Sequence, residues 1–278
     1  MSSSSSHGGP APKRLQSRRL QPKVMATVLT KHPFNAPVGN LCRYLSLMLL
    51  LLINGATAAA PQRVMSLNLC TDQLLLTLAE PAQIASLSWL AFDADDAALA
   101  EQAVGFDRNF GSAEELVRTA PDLVLAGPYT ANFAGSIARR LGFPVLAIPP
   151  ATNMDEVRAN LRLLGEALDR TEHTEQVIAA MQTRIDAIIA QQPKTPTSAI
   201  VVRGGGFTVG TESLAHNLMV LAGLYNVAAA GGLDRWGSLS MEALLTSGAD
   251  LLVVSDYRSD APSLTNETLR HPAFEVLR

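Results

Sequence analysis

Aromatic side chains are scarce in this sequence, and their positions indicate a binding site. They make up 5% of the 278 residues. One set lies in predicted loops, just after strands or before helices: Trp89, Phe110, Tyr129, Phe207, Trp236 and Tyr257. Such loops line the ligand clefts of open α/β sheets, and aromatic walls with a few polar groups suit a large flat ligand. We predict that this set binds ligand; ordinary packing is the alternative for each member.

Residues that could carry catalysis or bind a metal are isolated from one another. The glycines at 204–206 lack a following Gly-Lys-Ser/Thr, so there is no P-loop, and no Gly-x-Ser-x-Gly nucleophile motif occurs. His173, His216 and His271 have no second metal ligand at helical spacing. We therefore predict that the protein is not an enzyme and has no metal or cofactor of its own. His216 is expected to be a packing or capping residue.

One sequence pattern occurs twice, at 112–125 and at 240–253. Each copy begins with a serine suited to cap a helix, followed two residues later by an acid, Glu114 or Glu242. An aspartate then breaks the helix and precedes an apolar run that is too short for a helix, which favours a buried strand. The repeat predicts two similar α/β lobes that face each other across a cleft. A coincidental likeness between two helix–strand units is the alternative.

Around the first copy, short apolar runs alternate with helical patterns. Strands are predicted at 63–67, 83–87 and 143–148, and helices at 71–79 and 130–141. This alternation is typical of a parallel sheet covered by helices on both faces. We assign 61–150 to an N-terminal α/β lobe.

The segment 151–193 is predicted to be a helical connector that includes a long spine helix. Asn153 and Glu156 form a capping-box pattern, and a second helix begins at Thr171 and ends at Pro193. Both helices carry apolar stripes that are typical of core packing rather than of a cofactor site. The stripes are Val157, Leu161, Leu164 and Leu168, then Val177, Ile178, Met181, Ile185, Ile188 and Ile189.

The remainder, 194–278, is predicted to be the C-terminal α/β lobe. It begins with a strand at 198–202, followed by a helix at 214–222 and a strand at 250–255. The closing strand and helix that the first lobe leads one to expect are missing, so we expect this lobe to be incomplete.

The first 60 residues differ in composition from the rest. Residues 1–42 are polar and without a hydrophobic period, which predicts a disordered leader; a start assigned too far upstream would explain it. Arg43, an apolar run at 44–53 and small residues at 55–60 then form a secretory signal pattern. The run is about half of the roughly 20 residues that a membrane span needs. We predict cleavage near Ala58 or Ala60 and a periplasmic location.

Removal of that segment leaves a strongly acidic protein. Seven of the 22 Lys and Arg residues lie before Pro61 and none of the 25 acidic residues does, so the rest has a formal charge of −10. This charge argues against nucleic acid as a partner and suits a partner with a positive surface. Only Cys70 remains, which excludes a Cys-based zinc or iron–sulfur site and an internal disulfide. We expect a buried thiol, or a pairing partner outside this sequence.

From Arg63 to the C-terminus, the sequence resembles the periplasmic binding proteins of the cobalamin and ferric-siderophore type, which feed ABC importers. The resembling stretches are Ser-Ala-Glu at 112–114 with Pro-Asp-Leu-Val at 121–124, Gly-Thr-Glu-Ser-Leu at 210–214 with Gly-Leu-Tyr-Asn at 223–226, and Trp-Gly-Ser-Leu-Ser-Met-Glu at 236–242. The resemblance implies two Rossmann-like lobes with parallel sheets, joined by one rigid long helix, with the ligand held in the cleft between them.

The resemblance also implies residue roles. Glu114 and Glu242 are expected to dock on arginines of the permease, and Trp89 and Trp236 match positions where cobalamin-binding relatives place aromatic contacts. Arg203, just after the first strand of the second lobe, is expected to add a cationic contact to an anionic ligand.

The expected protein is a monomer that captures a metal chelate, either a cobalamin, a ferric siderophore or haem, and delivers it to an ABC importer. Cobalt or iron would belong to the ligand. Two departures from cobalamin binders bear on the ligand: Ala222 stands where one of them has a cysteine, and the polar contacts of the final loops are missing. A two-lobed sensor or enzyme without a transport role is the rival interpretation.

Overall fold

The computed structural model describes residues 59–254 together with Arg270 and Pro272. The predicted leader, all but the last two residues of the predicted signal peptide, Tyr257 and the expected incomplete end of the second lobe lie outside the described residues. Within the described part of the chain, every helix is too short or too polar to cross a membrane.

Five parallel strands form the first sheet, which confirms the predicted parallel arrangement. They are β1 (Val64–Ser66), β2 (Ile84–Ser88), β3 (Arg108–Asn109), β4 (Leu123–Ala126) and β5 (Val145–Ala147). Their spatial order is β3-β2-β1-β4-β5, and every pairing is parallel. All carboxyl ends therefore lie along one edge. The strand order reverses between β1 and β4, and ligands of open α/β sheets bind at such a switch point.

Helices cover both faces of this sheet. Successive strand residues point to opposite faces, and on each face the apolar ones pack into a separate cluster with helix residues. The helices are α1 (Leu69–Leu78), α2 (Ala100–Ala103), α3 (Ala113–Thr119), α4 (Pro128–Asn132) and α5 (Ala134–Arg140). On β1, Val64 packs into the cluster that contains Leu75 of α1, and Met65 packs into the cluster that contains Leu116 of α3.

Two boundaries differ from the sequence prediction. Helix α1 begins two residues earlier than expected, because the Asn68 side chain accepts the N–H of Thr71 at 3.2 Å and caps it. The helix predicted at 130–141 is two helices, α4 and α5, which break at Phe133 where the backbone is not helical (φ −110°, ψ −82°).

The connector consists of two helices, α6 (Met154–Ala167) and α7 (Thr171–Ala190). Leu161 and Leu164 of α6 are buried in the core of the first lobe. The predicted capping box is only half formed: Asn153 accepts the N–H of Glu156 at 2.9 Å, but the Glu156 carboxylate accepts the N–H of Thr152 instead.

The apolar stripe of α7 only partly confirms the packing prediction. Ile178 is buried, whereas Ile188 and Ile189 are 50% and 44% exposed. Ile185 and Ile188 line a groove shared with Leu218 of the second lobe. The C-terminal half of the stripe therefore faces a groove and solvent, and its prediction as core was wrong.

The second lobe contains a parallel sheet and a separate antiparallel ribbon. Its strands are β6 (Thr197–Val202), β7 (Phe207–Val209), β8 (Leu224–Asn226), β9 (Trp236–Ser238) and β10 (Leu251–Val254). Its helices are α8 (Leu214–Leu221), α9 (Val227–Ala230) and α10 (Met241–Leu245). The sheet has the order β10-β6-β8, and β7 pairs with β9 in the ribbon, which the sequence did not predict.

The two copies of the sequence pattern occupy equivalent places in the two lobes. Strand β4 pairs in parallel with β1, and β10 pairs in parallel with β6, the first strand of its lobe. The Asp122 carboxylate accepts the N–H groups of Gln62 and Arg63, and Asp250 accepts the hydroxyl of Ser198 at 2.6 Å. Each aspartate therefore ties its strand to the first strand of its lobe; it does not end the helix, since α3 already stops at Thr119.

Candidate functional site

A cavity of about 470 Å³ opens at the carboxyl edge of the first sheet, at the switch point between β1 and β4. Its wall consists of residues that follow β1, β4 and β5, side chains of α1 and α6, and Leu214 at the start of α8. Elements of both lobes therefore contribute to it. The volume lies within the range of roughly 300–1,000 Å³ that is usual for small-molecule sites.

Asn68 and Thr130 join the two loops that meet at this switch point. Besides capping α1, Asn68 donates from Nδ2 to the Thr130 hydroxyl at 3.2 Å. The same hydroxyl accepts the N–H of Gly127 at 2.9 Å. A Cβ at position 127 would lie 3.1 Å from Asn68 Nδ2, so glycine allows this close approach.

A buried carboxylate holds the start of the loop that carries Trp89. Asp72 of α1 is fully buried and accepts the N–H of Ser88 at 3.0 Å and its hydroxyl at 2.5 Å. Burial raises the pKa of the Asp72 carboxyl above its ordinary value of 3.8, although hydrogen bonds from Ser66 and Ser88 act in the opposite direction. Through these two hydrogen bonds, Asp72 holds Ser88, the last residue of β2, against α1.

Gln73 belongs to the cavity wall, and its side-chain amide is hydrogen-bonded at the oxygen. Its Oε1 accepts the N–H of Leu99 at 3.0 Å, which sets the orientation of the amide. Its Nε2 is one of the buried polar atoms without a hydrogen-bond partner in the described structure. Buried donors are normally satisfied, and this one has almost no exposed surface of its own, so Gln73 contributes little free hydrogen-bonding capacity to the cavity.

The predicted aromatic residues of the first lobe all lie along the same edge of the sheet. Trp89 follows β2, Phe110 follows β3 and Tyr129 lies in α4 after β4, with exposures of 45%, 70% and 81%. The Phe110 N–H donates to the Glu115 carboxylate at 2.9 Å, which orients that loop. Only Tyr129 of these three belongs to the cavity wall.

The predicted residues of the second lobe are arranged differently from the expectation. Phe207 and Trp236 lie on strands β7 and β9, not in loops, so that part of the prediction was wrong. Trp236 is 58% exposed, whereas Phe207 is partly buried against the core. Arg203 is exposed directly after β6, and its N–H donates to the carbonyl of Phe207 at 2.8 Å. None of these three belongs to the cavity wall.

The predicted docking acids, Glu114 and Glu242, are exposed in the first turns of α3 and α10. In α3 the capping box with Ser112 uses the neighbouring Glu115, so Glu114 is not needed to cap the helix. Hydrogen bonds from its own backbone N–H and from the Ser240 hydroxyl lower the pKa of the Glu242 carboxyl, which keeps it ionised.

Cys70 and His216 have very different surroundings. Cys70 is exposed and lies in the cavity wall, so the expectation of a buried thiol was wrong. His216 donates its N–H to the Ser213 hydroxyl at 3.1 Å, and its Nδ1 lies 3.3 Å from Asn226 Nδ2, which is the packing environment that the sequence indicated. Among the described residues, no group of three or more His, Cys, Asp or Glu could hold a metal ion.

Sequence reasoning missed most of the cavity wall. Asn68, Gln73 and Asn160 were not singled out, although Asn68 directly follows the strand predicted at 63–67 and is a favoured capping residue. The proline pair 149–150 after β5 was another available signal. Asn160 could not be found this way, because it reaches the site from the middle of α6.

The family model described as periplasmic binding protein matches residues 64–277. No curated protein matches the sequence. Among solved structures, a possible iron-binding (periplasmic solute-binding) protein from Staphylococcus epidermidis has a TM-score of 0.66 and 20% identity, covering 78% of this chain and 85% of that chain. The heme-binding protein HutB of Vibrio cholerae has a TM-score of 0.60 and 17% identity, covering 72% and 78%. The vitamin B12-binding protein BtuF of the same organism has a TM-score of 0.56 and 17% identity, covering 71% and 78%.

Proposed function

The chain belongs to the periplasmic binding protein family, and on that premise we propose that it captures a metal chelate and delivers it to an ABC importer. The ligand candidates are a cobalamin, a ferric siderophore and haem. The structurally similar proteins from Staphylococcus epidermidis and Vibrio cholerae, whose names refer to iron, heme and vitamin B12, support this range.

The observation that carries the proposal is the cavity at the switch point of the first sheet. It combines an apolar wall with a few amide and hydroxyl groups and includes Leu214 from the second lobe. A ligand bound there would contact both lobes, so that its presence would fix how they are placed relative to one another.

The exposed aromatic residues extend this site. Tyr129 lies in the cavity wall, and Trp89 and Phe110 follow neighbouring strands along the same edge. We propose that a chelate larger than the cavity also stacks on these two side chains and on Phe207 and Trp236 of the second lobe. Arg203 and Tyr257 complete the proposed set.

The proposed partner is the permease of the importer. Glu114 is exposed in α3 and is not needed to cap that helix, and Glu242 is exposed in the first turn of the equivalent helix α10. Both charges are therefore available for arginines of the partner. The proposal further includes lobes at 61–150 and 194–278, a connector at 151–193, signal cleavage near Ala58 or Ala60, and a periplasmic monomer.

The function is tested by native mass spectrometry and tryptophan fluorescence with corrinoids, haem and iron chelates. The chain has two tryptophans, Trp89 and Trp236, so a bound chelate that stacks on both should quench most of the emission. A one-to-one complex with one of these ligands supports the proposal. Turnover of a substrate by the purified protein without tight chelate binding would instead favour the sensor or enzyme interpretation.

A further inference from the structure

The described wall of the cavity contains no Asp, Glu, Lys, Arg or His. Its polar members are neutral amides, hydroxyls and the thiol of Cys70, and its other members are aliphatic residues, prolines, one glycine and Tyr129. A site that binds an anion normally supplies opposite charge or several converging donors.

Most of the neutral polar groups in the wall are already bonded within the protein. Asn68 bonds to Thr71 and Thr130 through both ends of its amide. Asn160 donates from Nδ2 to the carbonyl of Pro149 at 2.8 Å. The Nε2 group of Gln73 remains as a donor without a partner. One amide group cannot replace the hydration of a multiply charged ligand.

No arginine belongs to the described cavity wall: Arg203 of the proposed ligand-binding set lies outside it, and four other arginines of the described structure are paired with acids. Arg158 pairs with Asp155, Arg162 with Glu175, Arg170 with Glu80 and Arg235 with Glu212. The chain from Pro61 onward also has a formal charge of −10, so its overall field repels anions.

We infer that the cavity selects uncharged chelates over anionic chelates of the same metal and similar size. This inference rests on the proposed function and concerns the ligand class of that site. An anionic chelate that enters an uncharged, largely apolar wall loses hydration without gaining a counter-charge, whereas a neutral chelate gains apolar contact at little electrostatic cost.

Matched ligand pairs test the inference. One pair is a neutral ferric trihydroxamate and a triply negative ferric tris-catecholate; the other is haem dimethyl ester and haem. Kd is measured by fluorescence or calorimetry for both members of each pair that binds. We expect the neutral member to bind at least about tenfold more tightly, and its Kd to change little with added salt.

A cation inserted into the wall should change this preference. Ala151 lines the cavity beside the proline pair, so Ala151→Arg adds a positive charge without removing a side-chain hydrogen bond. Ala151→Gln is the uncharged control of similar length. Leu214→Arg and Leu214→Gln form a second pair on the other lobe, in case the first position does not tolerate a long side chain. Only the arginine variants should shift binding toward the anionic member, by about tenfold or more.

The outcomes separate the inference from the proposed function. Equal or tighter binding of the anionic member, or arginine variants that behave like their glutamine controls, would overturn the charge selection while the chelate-binding function stands. Failure of every corrinoid, porphyrin and iron chelate to bind would overturn the proposed function, and the inference with it.

Discussion

At the residue scale, Tyr129 provides the most direct test of the site. Of the predicted ligand-binding residues that the structure describes, it alone belongs to the cavity wall, and it is 81% exposed there. We expect Tyr129→Ala to weaken chelate binding by about 2 kcal/mol, or about 30-fold in Kd, with little change in melting temperature. Phe133→Ala is the matched control, because Phe133 is a 75% exposed aromatic residue outside the wall. Equal losses of affinity in both variants would contradict the assignment.

Asp72 gives the stability a pH dependence with a definite sign. Because burial raises its pKa above 3.8, the folded protein binds this proton more tightly than the unfolded chain does. Its contribution to stability is therefore fully present below the ordinary carboxyl pKa and is lost as pH rises through the raised pKa.

Asp72→Asn removes this titration while retaining an acceptor for the N–H of Ser88. The free energy of unfolding of Asp72→Asn should therefore rise relative to wild type as pH increases from about 4 upward. Urea unfolding at several pH values measures it. Asp72→Ala, which loses both bonds to Ser88, should be less stable than Asp72→Asn throughout. A pH-independent difference between wild type and Asp72→Asn would contradict the argument.

At the element scale, the ribbon of β7 and β9 depends on the turn before it. Gly205 and Gly206 both have positive φ, but an added Cβ meets nothing within 4 Å at Gly205 and lies 2.2 Å from the Leu239 carbonyl oxygen at Gly206. Gly205→Ala should therefore lower the free energy of unfolding by about 1–2 kcal/mol, through backbone strain alone. Gly206→Ala should lower it by roughly 1–3 kcal/mol more than Gly205→Ala does, because the ribbon must shift to relieve the contact with the Leu239 carbonyl oxygen.

Urea unfolding of the two alanine variants checks this difference. Gly206→Ala should also weaken chelate binding more than Gly205→Ala does, because the ribbon carries Phe207 and Trp236. Equal stability of the two variants would mean that the ribbon does not depend on this close approach.

At the scale of the whole molecule, two acids on separate lobes are proposed to act together. Reversal of both charges, Glu114→Lys with Glu242→Lys, should abolish importer-dependent uptake while leaving chelate affinity unchanged. Both acids lie in first turns of helices, where a charge contributes only about 0.3–1 kcal/mol, so folding should persist.

A matched double reversal controls for the change of net charge. Glu101 and Glu172 are also exposed acids in first turns, of α2 and α7, and have no proposed partner role. Uptake should survive Glu101→Lys with Glu172→Lys. Normal uptake with the Glu114→Lys and Glu242→Lys double variant would refute the docking role.

The amino-acid sequence by itself determined the features that depend on local pattern. The helix–strand repeat predicted two similar lobes, and Asp122 and Asp250 do occupy equivalent places, because a capping serine, an apolar run and an aspartate act within a few residues of each other. The parallel first sheet followed from strands that alternate with helices.

Only the tertiary structure decided which side chains share a cavity. Asn68 caps α1, Gln73 belongs to α1 and Asn160 to α6, and they share a wall because the order of β1, β4 and β5 brings the carboxyl ends of these strands together at one place. Cys70, also in α1, is exposed rather than buried. The same holds for the β7–β9 ribbon, whose strands of three residues pair across a separation that no local pattern reveals. Secondary structure is encoded over a few residues, whereas a site is formed by long-range packing of strands and helices that are distant in the chain.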